Sequence, residues 1–448
     1  MKHHVRTFAI LALLGLPLQP ATANAQTTTS GNLSDLLPKL LTSGVTLAPP
    51  DVPGVVSHEA HFLPAATDPI FALTGQFNNA LVASLSTFPL GSSSGGFVFE
   101  GDPALGDYRP ASRSFGPTFA ERALTSGKGN FNFGIQFQKA SFSKFEGKDL
   151  DNGSINFYIH HTDCCGTHGG APDPFFEADL VREDLSLKLN SNTTALLFNY
   201  GLGDNWDIGA AVPIVHVNIE ASALASIDRV ATSTIPALHH FLGPDPDHET
   251  ISASGSATGL GDVVVRTKYR FLKAPGGGLA AGIDLRLPTG DDKDLLGIGT
   301  TQAKLQIIGS GEFGAVALHG NAGYAFAGTS DVVGDIPKEF DYTFGADVAA
   351  GRATLAFDLI GHTLFDTARF QDAPQTFPAP SLPAGSVTRT AFGYYSGNLT
   401  QMLGAAGVKV LVAPHLLLTG NVLFPLTDNG LKAKAIPVVG FEYVFPRH

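Results

Sequence analysis

The stretch His160-His-Thr-Asp-Cys-Cys-Gly-Thr-His168 holds the most reactive set of side chains in the chain. Imidazole nitrogen and thiolate sulfur together form the donor set of zinc and copper. A metal reading takes His160, His161, Cys164, Cys165 and His168 as ligands. A second stretch carries His239, His240 and His248 beside Asp245, Asp247 and Glu249, so six of the 15 histidines fall in two segments. Their spacing matches no established zinc motif. The competing reading is a vicinal disulfide between Cys164 and Cys165, formed in an oxidising compartment and stiffening a loop tip. Two adjacent cysteines cannot staple distant parts of a fold, so no disulfide framework is expected.

Other reactive-looking patterns read as structure. The Gly-x-Gly-Asp sequences at 201–204 and 259–262 neither open a helix nor carry a phosphate-binding lysine, so they are turns. Asp291, Asp292 and Asp294 lack the glycine and glutamate of a calcium loop and read as a solvated loop. A hydrolase would need a Ser and a His together with an orienting partner. His216, His319, His362 and His415 each stand alone on a strand or turn and read as polar interior or interface residues. The chain is expected not to be an enzyme, and no cofactor is expected.

The elements that position these residues show a period of 2. In Asp262–Phe271, Val263, Val265, Thr267, Tyr269 and Phe271 fall on one face, and Asp262, Arg266, Lys268 and Arg270 on the other. That alternation puts the two sets on opposite sides of a β-strand. Leu279, Ile283, Leu285 and Leu287 oppose Asp284 and Arg286; Phe340, Tyr342 and Phe344 oppose Asp341 and Asp347; Phe441, Tyr443 and Phe445 oppose Glu442. With Lys188, Lys304 and Asp358, these charges are assigned to an interior, where they either brace a wall by pairing or line a solute path.

The N-terminus gives the location. Lys2 and Arg6 precede the apolar run Phe8–Leu18, and Ala23-Asn24-Ala25 follows, the pattern of an export signal cleaved after residue 25. Only 15% of the 448 residues are charged, against roughly 25% in an average soluble protein. No later apolar run reaches the ~18 residues of a membrane helix. An exported chain of alternating strands with few charges therefore predicts an outer-membrane barrel, because lipid leaves only closure to satisfy strand edges. A formal net charge of −12 excludes a nucleic-acid partner. The expected partners are outer-membrane lipids and a small-molecule solute.

From Phe131 the spacing predicts an all-β domain of about twelve antiparallel strands over residues 126–448, with tight turns alternating with long loops at 147–176, 229–249, 328–338 and 367–398. The phase of the strand from Trp206 switches near Pro213, which predicts a bulge there. Residues 26–125 carry Leu33, Leu36, Leu37, Leu40 and Leu41, then Ile70, Leu73, Phe77 and Leu81, at helical spacing between Gly-, Ser- and Pro-rich stretches. This segment is read as a plug, with a periplasmic tail as the alternative. The aromatic end Phe441-Glu-Tyr-Val-Phe445 resembles the signal read by outer-membrane assembly machinery.

The blocks Asn199-Tyr-Gly-Leu-Gly-Asp-Asn-Trp-Asp-Ile-Gly-Ala-Ala-Val-Pro213, Gly259-Leu-Gly-Asp262 and Leu287-Pro-Thr-Gly-Asp291 come in an order that resembles the outer-membrane family tied to meta-pathway phenol degradation. The resemblance covers roughly residues 131–445. It implies a barrel, more distant similarity to fatty-acid and aromatic-hydrocarbon channels, and passage of small hydrophobic or aromatic molecules. The alternative is a structural or binding surface protein without transport.

Overall fold

The computed structural model describes residues 31–43, 45–49, 61–64, 69–86, 89, 91–92, 95–102, 107–161, 178–232, 238–379 and 382–446. The export signal, Cys164, Cys165 and His168 lie outside the described residues.

Twelve antiparallel strands close into a barrel. In chain order they are β1 (Phe131–Phe145), β2 (Leu180–Gly203), β3 (Trp206–Asp228), β4 (His248–Leu260 continued by Val264–Ala274), β5 (Gly277–Arg286), β6 (Gln302–Phe313), β7 (Val316–Ala327), β8 (Glu339–Ala350), β9 (Ala353–Pro378), β10 (Ser386–Ala413), β11 (Leu416–Pro425) and β12 (Ile436–Phe445). Each pairs with its neighbour in sequence. β1 closes the ring, with Phe131 opposite Tyr200 of β2 on one side and Phe445 of β12 on the other. Closure leaves no strand edge for lipid to satisfy.

One end of the barrel carries two-residue turns. Gly314 and Gly351 adopt φ of +69° and +64° there, a conformation open to glycine at little cost. At the other end, four strands run far past the roughly 9–11 residues needed to cross a bilayer: β2 has 24 residues, β3 23, β9 26 and β10 28. The outer belt is apolar. Val265, Tyr269, Phe271, Ile283, Leu305, Phe326, Phe344, Phe357 and Phe441 are all exposed, while Asp262, Lys268, Arg270, Asp284, Asp347 and Asp358 are buried in the interior. An apolar outside around a charged inside is a transmembrane β-barrel of the outer membrane.

Three expectations need correction. The region 367–398 is not a loop: β9 and β10 stay paired from Ala353↔Val410 to Pro378↔Ser386. Beyond the lipid the outer face of a strand turns polar, so the apolar-outside signal stops while Phe370 and Phe392 remain buried inside. The expected loop 147–176 likewise contains a short strand, Ile155–His160, added to β2. Nor is there a bulge at Pro213. β3 pairs with β2 without a shift there, and the irregularity sits in the opposite strand, where β4 breaks at residues 261–263 and the Gly261 N–H donates to the Pro213 carbonyl at 2.8 Å. Proline has no N–H for a ladder, so the neighbour on that side bends away.

Two helices fill the long-loop half. α1 (Leu33–Thr42) buries Leu33, Leu36, Leu37, Leu40 and Leu41, and α2 (Pro69–Ser86) buries Ile70, Leu73, Phe77 and Leu81. They pack with the inner faces of the projecting strands, including Leu185, Leu187, Leu189, Val217 and Ile219, into one apolar core. The α1 N-terminus is satisfied by the loop after β5: the Ser34 N–H donates to the Lys293 carbonyl at 2.8 Å, and the Leu33 N–H to Asp294 Oδ1 at 3.3 Å.

Candidate functional site

An irregular chain crossing a barrel lumen brings backbone groups that no ladder satisfies. The described residues between 91 and 130 do this in the short-turn half, and inward-facing side chains of the wall meet their needs. Carboxylates accept from its N–H groups. Asp358 takes the N–H groups of Thr118 and Phe119, both at 3.1 Å, and of Ala120 at 3.4 Å. Asp207 takes that of Ser126 at 3.0 Å, and Glu442 that of Gly96 at 2.6 Å. Ammonium groups donate to its carbonyls. Lys268 reaches those of Arg122 and Leu124, both at 2.9 Å, and Lys409 those of Phe115 and Pro117 at 3.2 and 2.6 Å. Asn321 does both, accepting from the Glu121 N–H at 2.6 Å and donating to its carbonyl at 3.0 Å, as a neighbouring strand would. Arg122 is 1% exposed among the carboxylates of Asp347, Glu442 and Glu121, with Nη2 donating to the Gly95 carbonyl at 2.6 Å. Gly116, at φ +71°, passes so close that a Cβ would lie 2.6 Å from that guanidinium. The described residues here are thus a plug-like stretch bonded to the wall from within.

Between the helical core and the plug lies a chamber of about 180 Å³. Phe119, Phe142, Ile360 and Leu403 give it apolar walls, and Arg266, Asp284, Arg286, Lys304, Glu339, Asp341 and His362 give it charge. The charges pair along the wall, on adjacent strands or, for Lys304 and Asp341, across β7. Lys304 lies 3.7 Å from Asp284 and 3.8 Å from Asp341, and Arg266 lies 3.7 Å from Asp284 while donating to the Gly91 carbonyl at 2.8 Å. Glu339, Asp341 and His362 bring their donor atoms together as a metal site would. The bonds at His362 speak against one: Nδ1 lies 3.1 Å from Glu339 Oε1 and Nε2 2.7 Å from Gln401 Oε1. An imidazole whose two nitrogens both face acceptor oxygens is an ion-pair partner rather than a ligand.

The expected lumen residues therefore separate into groups. Lys268 and Glu442 fasten the plug. Arg270 braces it through Glu100 at 3.3 Å. Asp347 holds His319 at 2.6 Å. Arg266, Asp284, Arg286 and Asp341 line the chamber. Lys188 faces the other way: it is on the outside of β2, 71% exposed and 3.5 Å from an exposed Glu220, with Leu187 and Leu189 buried on either side. Far from the membrane the inward face of this strand is apolar, so a charge there points to water. Of the expected metal ligands among the described residues, His161 is buried and His160 lies against Phe377. Asn321, Ser310 and Thr354, which also bond to the plug, give no signal, because neutral polar residues do not stand out in an alternation.

Just before β2, the buried Asp179 accepts from the Ala231 and Thr232 N–H groups at 2.8 and 3.1 Å, from the Thr232 hydroxyl, and from His239 Nδ1 at 2.8 Å. Burial opposes its charge, yet the bonds from His239 and Thr232 hold it below the usual carboxylate range.

No curated protein matches the chain. Among solved structures, an outer-membrane channel of Pseudomonas putida F1 is 13% identical, covering 71% of this chain and 96% of its own, with a TM-score of 0.43. The CymD monoaromatic hydrocarbon channel is 11% identical, covering 72% of this chain and 89% of its own, with a TM-score of 0.35. A FadL homologue of Pseudomonas aeruginosa is 11% identical, covering 79% and 96%, with a TM-score of 0.31. Residues 178–374, running from the start of β2 into β9, match the family described as Putative MetA-pathway of phenol degradation, the same family that the turn-and-strand blocks resemble.

Proposed function

We propose that the protein is an outer-membrane channel for small hydrophobic or aromatic molecules, with residues 26–125 as its plug, and that it performs no chemistry on its solute. The observation that carries this reading is the chamber beside the plug, lined by Phe119, Phe142, Ile360 and Leu403. On the long-loop side, Phe77 meets Phe145, Phe370 and Phe392 at ring-centroid distances of 5.0, 5.9 and 6.2 Å. A polar solute crossing this layer would lose its hydration without compensation, whereas an aromatic one would exchange ring contacts for ring contacts. The family match supports the same solute class.

The test is uptake of a labelled monoaromatic compound, at low concentration, by Gram-negative cells lacking their own aromatic channels. Wild-type protein should raise uptake above empty cells. Thr343→Trp, on the inner face of β8 at the chamber wall, should lower it severalfold without changing the folded barrel. Uptake equal to empty cells with wild-type protein would overturn the reading.

A second reading, a surface protein without transport, is favoured by one observation: the plug is bonded to β3, β4, β7, β9, β10 and β12. It predicts that freeing the plug with paired Asp358→Ala and Lys409→Ala substitutions opens no path for the same compound.

A further inference from the structure

The apolar core of the long-loop half contains a carboxyl without a partner. Glu183 stands on the inner face of β2 between Val181 and Leu185, and it is fully buried. Across the ladders it lies opposite Phe157 of the short strand Ile155–His160 on one side and Ala225 of β3 on the other, both fully buried themselves. Val181, Leu185, Phe157 and Ala225 belong to the same core as the leucines of α1 and Phe77 of α2. Among the described residues, neither Oε1 nor Oε2 of Glu183 has a hydrogen-bond partner. We propose that Glu183 is a proton-operated latch: the core between the helices and the projecting strands is closed while this carboxyl is neutral, and it loosens when the carboxyl ionises.

The position carries the inference. A carboxylate in apolar surroundings loses its hydration and gains no donor or cation in return, which costs far more than burying the neutral acid. The closed core therefore holds Glu183 as the acid. Ionisation needs water at the carboxyl, and the packing of Phe157 and Ala225 keeps water out. A leucine would fill the same space without this conflict, so the carboxyl adds nothing to the packing and changes only how the core responds to protons.

The charged groups of the surrounding elements are engaged elsewhere. Arg182 and Asp184 flank Glu183 in sequence but lie on the opposite face and pair with each other at 2.8 Å. On the short strand, Tyr158 shares the face of Arg182, and His160 lies against Phe377. On β3, Asp228 is held by Arg389 of β10 at 3.0 Å, and Glu220 meets Lys188 in water. Glu249 of β4 lies opposite Ala225 and is exposed. On α1, the exposed Asp35 and Lys39 pair at 3.0 Å, while α2 carries no ionisable side chain. Other ionisable groups of this end engage one another: His61 Nδ1 lies 3.1 Å from His161 Nε2, and His239 Nδ1 2.8 Å from Asp179 Oδ2. Burial alone therefore acts on the Glu183 carboxyl, and it pushes it up from 4.5 to about 8.

The direction of the response follows. When the core opens and water reaches Glu183, its ordinary value of 4.5 returns. Below 4.5 the acid is present in both states, and the closed core has its full stability. Between 4.5 and about 8 the open state gives up a proton that the closed state keeps, so opening becomes about tenfold easier per pH unit. Above about 8 both states are ionised and the effect levels off. On the reading of the protein as a channel, the loosened core lies across the solute's way to the chamber; the latch itself is measured without reference to transport.

The experiment is hydrogen exchange of full-length mature protein in detergent from pH 5 to 9, with each rate divided by the intrinsic amide rate at that pH. Opening at residues 181–187 and 221–227 should rise about tenfold per pH unit up to about 8 and then level off, while the membrane-spanning strands stay unchanged. Glu183→Gln, which has no proton to lose, and Glu183→Leu should show no such rise, and Glu183→Leu should be the least open of the three at pH 8. A flat profile in wild-type protein overturns the proposal, as does a rise that persists in both variants. If Glu183→Gln fails to fold because it buries an unpaired amide, Glu183→Leu makes the comparison alone. Failure of Glu183→Leu to fold would show that the closed core requires the carboxyl, and it too overturns the proposal.

Discussion

The two halves of the barrel interior solve one problem by opposite means. In the long-loop half, α1 and α2 satisfy most of their backbone groups within the helix, the α1 N-terminus being bonded by the loop after β5, so what they need from the wall is mainly volume and apolar surface. In the short-turn half, the plug is irregular, and the wall must supply a donor or acceptor for nearly every turn of the chain. The first kind of contact is non-directional and tolerates substitutions of similar size; the second is directional and fails when one partner is lost. A mobile or exchangeable element is easier to build from the second kind, because each fastening can be replaced by water.

The largest effect should come from the apolar half. Phe77 is fully buried at the centre of the aromatic cluster. Phe77→Ala should cost about 3–5 kcal/mol through lost transfer energy and the cavity left behind, and Phe77→Leu clearly less. The temperature at which the folded, heat-modifiable form disappears on gels reads this directly. Equal effects of the two substitutions would show that the helices do not fill this half as a packed core.

In the polar half the corresponding variant is Asp358→Ala. It leaves the N–H groups of Thr118, Phe119 and Ala120 without their acceptor, a loss of about 1–3 kcal/mol confined to the plug. Hydrogen exchange should accelerate at residues 115–125 while the strands stay protected. Uniform acceleration across the strands would mean that the plug and wall unfold together and the two halves are not separable.

Much of this division was legible from residue patterns. The leucine spacing at 33–41 and the apolar spacing at 70–81 are helix signals, and both helices are present. The alternation of Val265, Tyr269 and Phe271 with Lys268 and Arg270 set the two faces of β4. What the patterns lacked was the partner of each inward charge. Lys268 and Asp284 look alike in an alternation, yet one binds carbonyls of the plug and the other pairs with its neighbours on the wall. That difference depends on the path of residues 91–130, whose Gly- and Ser-rich sequence has no period to read. Asp179 and His61 were invisible for the same reason: each acts through residues dozens of positions away.

Acid should distinguish the outer loops from the rest. Asp179 has its carboxyl held below the usual range, so its contribution is present above the unfolded value near 3.8 and is lost as pH falls through the lower folded one. His61, which burial and then neighbouring His239 push below 6.5, favours the neutral ring. Its contribution is full above 6.5 and declines as pH falls toward its folded value. Protease cleavage in the loop after β3 should therefore rise in two stages, one below 6.5 and one below 3.8. Removal of the first stage by His61→Ala, with the second intact, would assign them separately; a single stage would show that the two groups do not act independently.

The smallest effect is expected at Lys188, and it tests the distinction between the wall's inside and its outside. Lys188 and Glu220 are 3.5 Å apart, but their side chains are 71% and 50% exposed. Water screens such a pair, and holding two long side chains in place offsets most of the attraction, so Lys188→Ala should change stability by no more than about 0.5 kcal/mol and leave aromatic uptake unchanged. Lys268→Ala, on the same kind of alternating strand but turned inward, removes the donor of two buried carbonyls and should cost about 1–3 kcal/mol with increased exchange in the plug. The pair of variants isolates facing from charge, since both delete one lysine from the wall. A measurable loss of uptake in Lys188→Ala would place the solute's route along the outer face of the projecting β2–β3 hairpin rather than through the chamber, and would move the search for the entry point to that surface.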